Sequence, residues 1–192
     1  MYMLQNNHFL FKFAASPKQP NIVKTKPVLN QQPEWITRGV NNLKSFEGWR
    51  SKPYLDTKKN QSIGYGFNLN DKNIARRLKN LGYISGQPLS KAVGDKAISG
   101  LVNDTYIPAL QKMYPKFNKY PDNTKEALLN MIYNLGEPKL TGFKKMRDAL
   151  EAGDYNKASL EAVDSNWAKQ VKSRRANYVK NLIASGAQPL KK

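Results

Sequence analysis

The chain has 192 residues, 40% of them hydrophobic, with 32 lysines and arginines against 14 acidic residues and a formal net charge of +18. That length and apolar share suit one globular domain with an ordinary core; the lack of cysteine excludes a disulfide scaffold, and no apolar run reaches the roughly eighteen residues of a membrane span. So large a positive charge calls for a polyanionic neighbour, and with no zinc finger, helix-turn-helix or aromatic RNA-binding strand to read bases, a bacterial wall or an anionic membrane fits better than specific nucleic-acid recognition.

Residues 1–33 stand apart from the rest. Pro17, Pro20, Pro27 and Pro33, set among Gln and Asn, prevent a sustained helix and predict an extended arm. Its FLFKF run reads either as part of an unstructured leader or as a peptide that docks on a partner. It is too short and too interrupted by charge for a signal peptide. His8, the single histidine, lies in this arm without a neighbouring ligand, so neither a metal site nor a His-dependent nucleophile is expected.

A helix is predicted from residue 34, because Ile36, Val40 and Leu43 recur at one-face spacing. Glu47 takes the next position on that stripe, with Gly48 behind it as terminator. A carboxylate there is either a solvated end-of-helix group or an acid in a cleft wall. In the second case burial raises its pKa toward the range a general acid needs. The stretch of residues 45–68, SFEGWRSKPYLDTKKNQSIGYGFN, then reads as a β-hairpin that brings Asp56 opposite Glu47 and carries Ser62 on its return strand. Two carboxylates in unlike settings are what glycoside hydrolysis requires, one as proton donor and the other ionised. Ser62 offers a hydroxyl to orient the attacking water.

Asn70 or Asp71 caps a helix ending near Leu81, with Ile74, Leu78 and Leu81 on one face, Gly82 closing it and Arg76 and Arg77 pointing outward. From Ser90 a longer helix follows Val93, Ala97 and Leu101. Gly94 and Gly100 weaken it, and Pro108 is expected to kink or break it. Residues 124–135, capped by Asp122 or Asn123 and stopped by Gly136, are apolar around most of their circumference and form the buried centre of the helical part. On this helix Tyr133 is either core or a sugar-stacking ring. The amide of Asn134 needs a polar partner, for which Glu47 or a sugar is the candidate. Three shorter helices complete the chain: one from Phe143 to a stop at Gly153, one capped by Asp154 that packs on the rim, and a last one from the SRRA run to a terminator at Gly186, after a turn at Ser165 and Trp167.

Glu47, Gly48, Tyr54, Asp56 and the run Ser62-Ile63-Gly64-Tyr65-Gly66 resemble, in identity and spacing, the signature of phage-type lysozymes of glycoside hydrolase family 24. Residues 130–136, NMIYNLG, and the later Phe143, Trp167 and Arg175 are similar to the same family. The resemblance covers residues 34–186. It departs at Ser62, where the family carries threonine, and at Phe67, where histidine often follows the glycines. It implies Glu47 as general acid, Asp56 as partner of the attacking water, Ser62 as water orienter, Tyr133 and Asn134 lining the saccharide cleft, and an arginine near the catalytic glutamate. That arginine is Arg175, with Arg174 in reserve, and its charge would oppose the pKa rise from burial.

The expected fold is α+β and mostly helical, a lysozyme-like two-lobed arrangement with a small β-hairpin lobe, a long connecting helix and a larger helical lobe around a cleft. The expected organisation is an arm over residues 1–33, a catalytic domain over 34–186 and a tail over 187–192. The expected activity is that of a muramidase acting on bacterial peptidoglycan by inversion, monomeric as a free enzyme and without cofactor or metal. Its arm would attach it to a virion capsid or tail protein; otherwise it works from the host cytoplasm. The alternative is a catalytically silent wall-binding or virion structural module.

Overall fold

In the computed structural model the described residues are 32–56, 59–171 and 173–187. All of the arm except Gln32 and Pro33, including His8 and FLFKF, lies outside them, as does the tail beyond Ala187. No helix of the described residues is long and apolar enough to cross a membrane.

Helix α1 (Glu34–Glu47) buries Trp35, Ile36, Val40 and Leu43 along the expected stripe and packs against helix α5 (Asp122–Leu135). Gly48 ends α1 with a φ of 70°. The hairpin then proves to be a three-stranded antiparallel sheet of β1 (Arg50–Leu55), β2 (Gln61–Gly64) and β3 (Phe67–Asn68), in that order. Tyr54 pairs with Ser62 and Ser62 with Asn68, while an irregularity between Arg50 and Tyr54 bends β1. Directly opposed residues share a face of the sheet, so Tyr54, Ser62 and Asn68 lie side by side.

Helix α2 (Lys72–Asn80) is capped by Asp71, whose carboxylate accepts from the N–H groups of Asn73 and Ile74. Arg77 does not simply point to solvent: its Nη1 donates to Asp104 Oδ2 at 3.1 Å, and the guanidinium lies across Gly100. The two glycines expected to weaken the next helix are places of close approach, since a Cβ on Gly94 would stand 2.4 Å from the Trp49 ring.

Of the two outcomes expected at Pro108, a kink or a break, the helix does not break but is distorted just before the proline. Helix α3 (Lys91–Leu101), capped by Ser90, runs through a π-helical segment, Val102–Tyr106, into α4 (Ile107–Met113). The Ile107 N–H reaches back to the Val102 carbonyl, five residues earlier. The wider turn accommodates a proline that has no N–H to donate and whose ring would clash in an α-helical ladder.

Helix α5 is preceded by Pro121 rather than capped by Asp122 or Asn123, and it buries Ala127, Leu128, Leu129, Met131 and Ile132 completely. Each large side chain removed from water contributes about 1.5 to 3 kcal/mol before conformational entropy is counted. A short α6 (Glu137–Leu140) follows Gly136, then α7 (Lys144–Ala152), α8 (Tyr155–Val163), α9 (Asn166–Gln170) and α10 (Ser173–Ala184). Helix α8 is not a rim element. Its small Ala158, Ser159 and Ala162 let α7 and α10 close on it from two sides. Gly186 does not stop α10 either; it sits in the 3-10 turn Ser185–Ala187, close against Thr124 and the Tyr155 ring.

Where α1, α5 and α10 meet, the contact is polar. Glu126, 3% exposed, accepts from Arg38 Nε at 3.1 Å, Asn42 Nδ2 at 2.7 Å and the Tyr178 hydroxyl. Asn123 extends the seam by accepting from Arg38 Nη2 at 3.3 Å and donating to Ser185 Oγ at 2.8 Å.

Candidate active site

Glu47 closes α1 with its side chain one-fifth exposed, and its two oxygens lie in different settings. Oε1 accepts from Arg175 Nη2 at 2.5 Å. Oε2 turns toward Gly66, where it would stand 3.3 Å from any Cβ. Gly66 has a φ of +80°, so both its backbone and its missing side chain suit the turn that faces the acid.

Arg175 is 8% exposed and is the arginine that reaches Glu47, while Arg174 stays exposed on the same helix. Its guanidinium lies over the Phe46 ring, 4.8 Å from the centroid, and Arg174 covers that ring at 5.3 Å. Phe46 therefore fixes where the Glu47 counter-charge stands, a part for which its place in a polar last turn of α1 gives no hint beyond its being aromatic.

Asp56 follows β1 and closes the loop to β2. Its Oδ1 accepts from the Asn60 N–H at 2.8 Å and its Oδ2 from Asn60 Nδ2 at 3.1 Å. Such donors favour the ionised carboxylate. Tyr54 lies near enough to both acids to feel their charge, with the Arg50 guanidinium 4.4 Å from its ring centroid. Its hydroxyl is pushed above the usual tyrosine value by burial first, against the pull of Arg50, and then by the charges of both Glu47 and Asp56. Tyr54 thus feels both carboxylates, and its cross-strand neighbour Ser62 brings the third polar group to the same face. Ser62 is buried, at 2% exposure. Alternation along β1 puts Tyr54 and Asp56 two apart, on one side of the strand, which agrees with their joint place in the signature.

Tyr133 packs against the core, the first of the two roles open to it in the sequence, and also makes a polar contact. Its hydroxyl donates to the Tyr65 carbonyl at 2.7 Å, and its ring meets Tyr106 edge-on with centroids 5.6 Å apart. It straps α5 to the turn that faces Glu47. Burial above all, and then the charge of Glu47, hold this hydroxyl well above its ordinary pKa despite Arg175, so it remains a donor. Tyr106 is pushed up to about 12, by burial first and then by Asp71 and Glu47 against Arg77.

Asn134 is exposed, and the partner of its amide is neither Glu47 nor a residue of the sheet: its Oδ1 accepts from Trp167 Nε1 at 2.8 Å. Phe67 is buried edge-on to Tyr65, with centroids 6.2 Å apart. The Tyr65 hydroxyl donates to Asp95 at 2.8 Å, and Lys44 and Lys91 face the same carboxylate. Burial works to raise Asp95, but Lys44, Tyr65 and Lys91 outweigh it and hold the carboxyl below its usual range.

Comparison with known proteins adds to this geometry. A family profile described as "Phage lysozyme" matches residues 44–182, a span that contains all six site residues expected from the sequence. The chain is similar to the probable T4-type lysozyme 2 of Dictyostelium discoideum, 27% identical over 163 residues that take in 75% of this chain and 92% of the relative. It is also 28% identical over 163 residues to the pre-baseplate central spike protein Gp5 of Enterobacteria phage T4. That match takes in 75% of this chain and 27% of the spike protein.

Proposed function

The chain belongs to the phage lysozyme family, and we propose that it acts as a muramidase, hydrolysing the β-1,4 bond between N-acetylmuramic acid and N-acetylglucosamine in bacterial peptidoglycan. The observation that carries this reading is the division of the Glu47 carboxylate, with Oε1 held by Arg175 and Oε2 turned to the Gly66 turn. Oε2 is then the oxygen that gives its proton to the leaving glycosidic oxygen. As the bond from the anomeric carbon to that oxygen breaks, positive charge spreads over the sugar ring, and the Asp56 carboxylate, oriented by Asn60, stabilises it. Water adds to the anomeric carbon from the opposite face and passes its proton to Asp56, which makes the reaction inverting. Ser62 sits on the Tyr54 side of the sheet, where its hydroxyl can hold a water admitted beside the sugar. A charge of +18 keeps the enzyme on an anionic wall.

The bond is tested by digesting purified peptidoglycan and reducing the new chain ends with borohydride. Muramitol as the reduced end is the expected product; glucosaminitol would assign the other glycosidic bond, and no new ends would remove the activity.

Similarity to a spike protein supports a place on the virion, with residues 1–33 attaching the enzyme to a capsid or tail protein. Co-sedimentation with virions is expected for the full chain and not for one lacking those residues. Equal sedimentation of the two would end the attachment reading and leave an enzyme working from the host cytoplasm.

A further inference from the structure

Three α1 side chains that look like a solvent face, Arg38, Asn42 and Phe46, recur four residues apart and so lie along one stripe ending beside Glu47. None of them faces only water. The first two are tied to the buried Glu126 of α5, and the third meets Tyr178 of α10, ring centroids 5.1 Å apart. Tyr178 in turn gives its hydroxyl to Glu126. Burial, and then that carboxylate, hold the hydroxyl protonated far above the ordinary tyrosine range.

The far face of this chain of contacts is Arg175. Tyr178 stands one turn along α10 from it, and Phe46 lies in contact with both. Arg175 Nε is buried without a hydrogen-bond partner among the described residues. Guanidinium groups are normally placed by a fork of hydrogen bonds. Here one nitrogen meets Glu47 and the guanidinium carbon lies 4.8 Å from the Phe46 ring centroid, so a shift of the ring bears directly on the arginine.

From these contacts we infer that Tyr178 is a positioning residue for the acid: anchored on Glu126, it fixes Phe46, Phe46 fixes Arg175, and Arg175 fixes the orientation of the Glu47 carboxylate. The seam between α1, α5 and α10 thereby sets the aim of the reacting oxygen. This rests on Glu47 being the proton donor. It adds that a residue which touches neither substrate nor acid controls the turnover step.

The test uses the full chain, soluble glycan-strand fragments as substrate, and the variants Tyr178→Leu, which loses the ring, and Tyr178→Phe, which keeps it. Tyr178→Leu is expected to lower kcat about tenfold or more with KM unchanged. Tyr178→Phe, which keeps the ring on Phe46 but gives up the hydrogen bond to Glu126, should restore only part of that loss. In an Arg175→Lys background, Tyr178→Leu should change kcat little, because the arm through which it acts is already gone. Equal losses in the two backgrounds, or a normal kcat for Tyr178→Leu, overturn the inference. A readout independent of turnover keeps this separate from the muramidase reading: in nitrogen-15 spectra the Arg175 Nε–H should exchange slowly in the parent chain and at least about tenfold faster in Tyr178→Leu. An unchanged exchange rate defeats the positioning role even if the protein proves to cleave nothing. Faster exchange in a protein that cleaves nothing supports the positioning and removes only the proposed reaction.

Discussion

Glu126 and Glu47 each accept a hydrogen bond from an arginine, and their surroundings differ in a way that separates structure from chemistry. Glu126 is 3% exposed and receives Arg38, Asn42 and Tyr178 from two other helices. Glu47 is one-fifth exposed, holds Arg175 on one oxygen and turns the other to a glycine. A buried carboxylate engaged by three donors on two neighbouring helices serves to hold those helices, and removing it leaves the donors without their partner. A carboxylate with one oxygen turned to a glycine, and no hydrogen-bond donor on that oxygen among the described residues, keeps a place for a proton.

Asp56 lies between these cases, since Asn60 binds both of its oxygens and yet Tyr54 senses its charge beside that of Glu47. If it belongs with Glu47, Asp56→Asn should lower wall clearing by about two orders of magnitude while the unfolding temperature stays near that of the parent. A large fall in unfolding temperature with clearing intact would move it to the structural side. Glu126→Gln should act mainly on stability, a loss of about 2 to 3 kcal/mol in urea unfolding as Arg38 loses its counter-charge, with clearing lowered only as far as the glutamine oxygen holds the Tyr178 hydroxyl less well. Gly66→Ala should blur the two classes. An alanine at positive φ costs roughly 1 to 2 kcal/mol, and its Cβ would press on Glu47 Oε2, so clearing should drop about tenfold as well.

The smallest effect belongs to Asp95, a carboxylate that is well paired but more exposed. Its folded pKa is depressed by Lys44, Tyr65 and Lys91. Its contribution is therefore present above the unfolded carboxyl value, about 3.9, and is lost as pH falls through the folded value. Asp95→Asn should cost under about 1 kcal/mol at neutral pH. The gap in unfolding temperature between variant and parent should close below about pH 4.

What could be read from the chain beforehand follows from range. The α1 stripe, the caps at Asp71, Ser90 and Asp154 and the stops at Gly48, Gly136 and Gly153 are decided by residues a few positions apart, and they stand as expected. The pairing of Tyr54 with Ser62 follows from a hairpin pattern of equally short reach. At Pro108 local rules allow a kink or a break, and the chain takes a π turn with Val102 and Leu110 buried on either side of it. The partner of Asn134 and the strap from Tyr133 to Tyr65 depend on where α9 and the sheet turn arrive. The Glu126 seam was invisible for a related reason. Arg38, Asn42 and Glu126 each look like solvent-facing polar residues until three helices converge on them.

The central claim, that Glu47 supplies the proton for glycan cleavage, is met most directly by Glu47→Gln on a suspension of purified cell walls, with turbidity and bound protein measured together. The account predicts that the variant sediments with the walls as the parent does, since its charge and surface are nearly the same, while clearing falls by about two to four orders of magnitude. Clearing at the parent rate by a folded Glu47→Gln protein would contradict it.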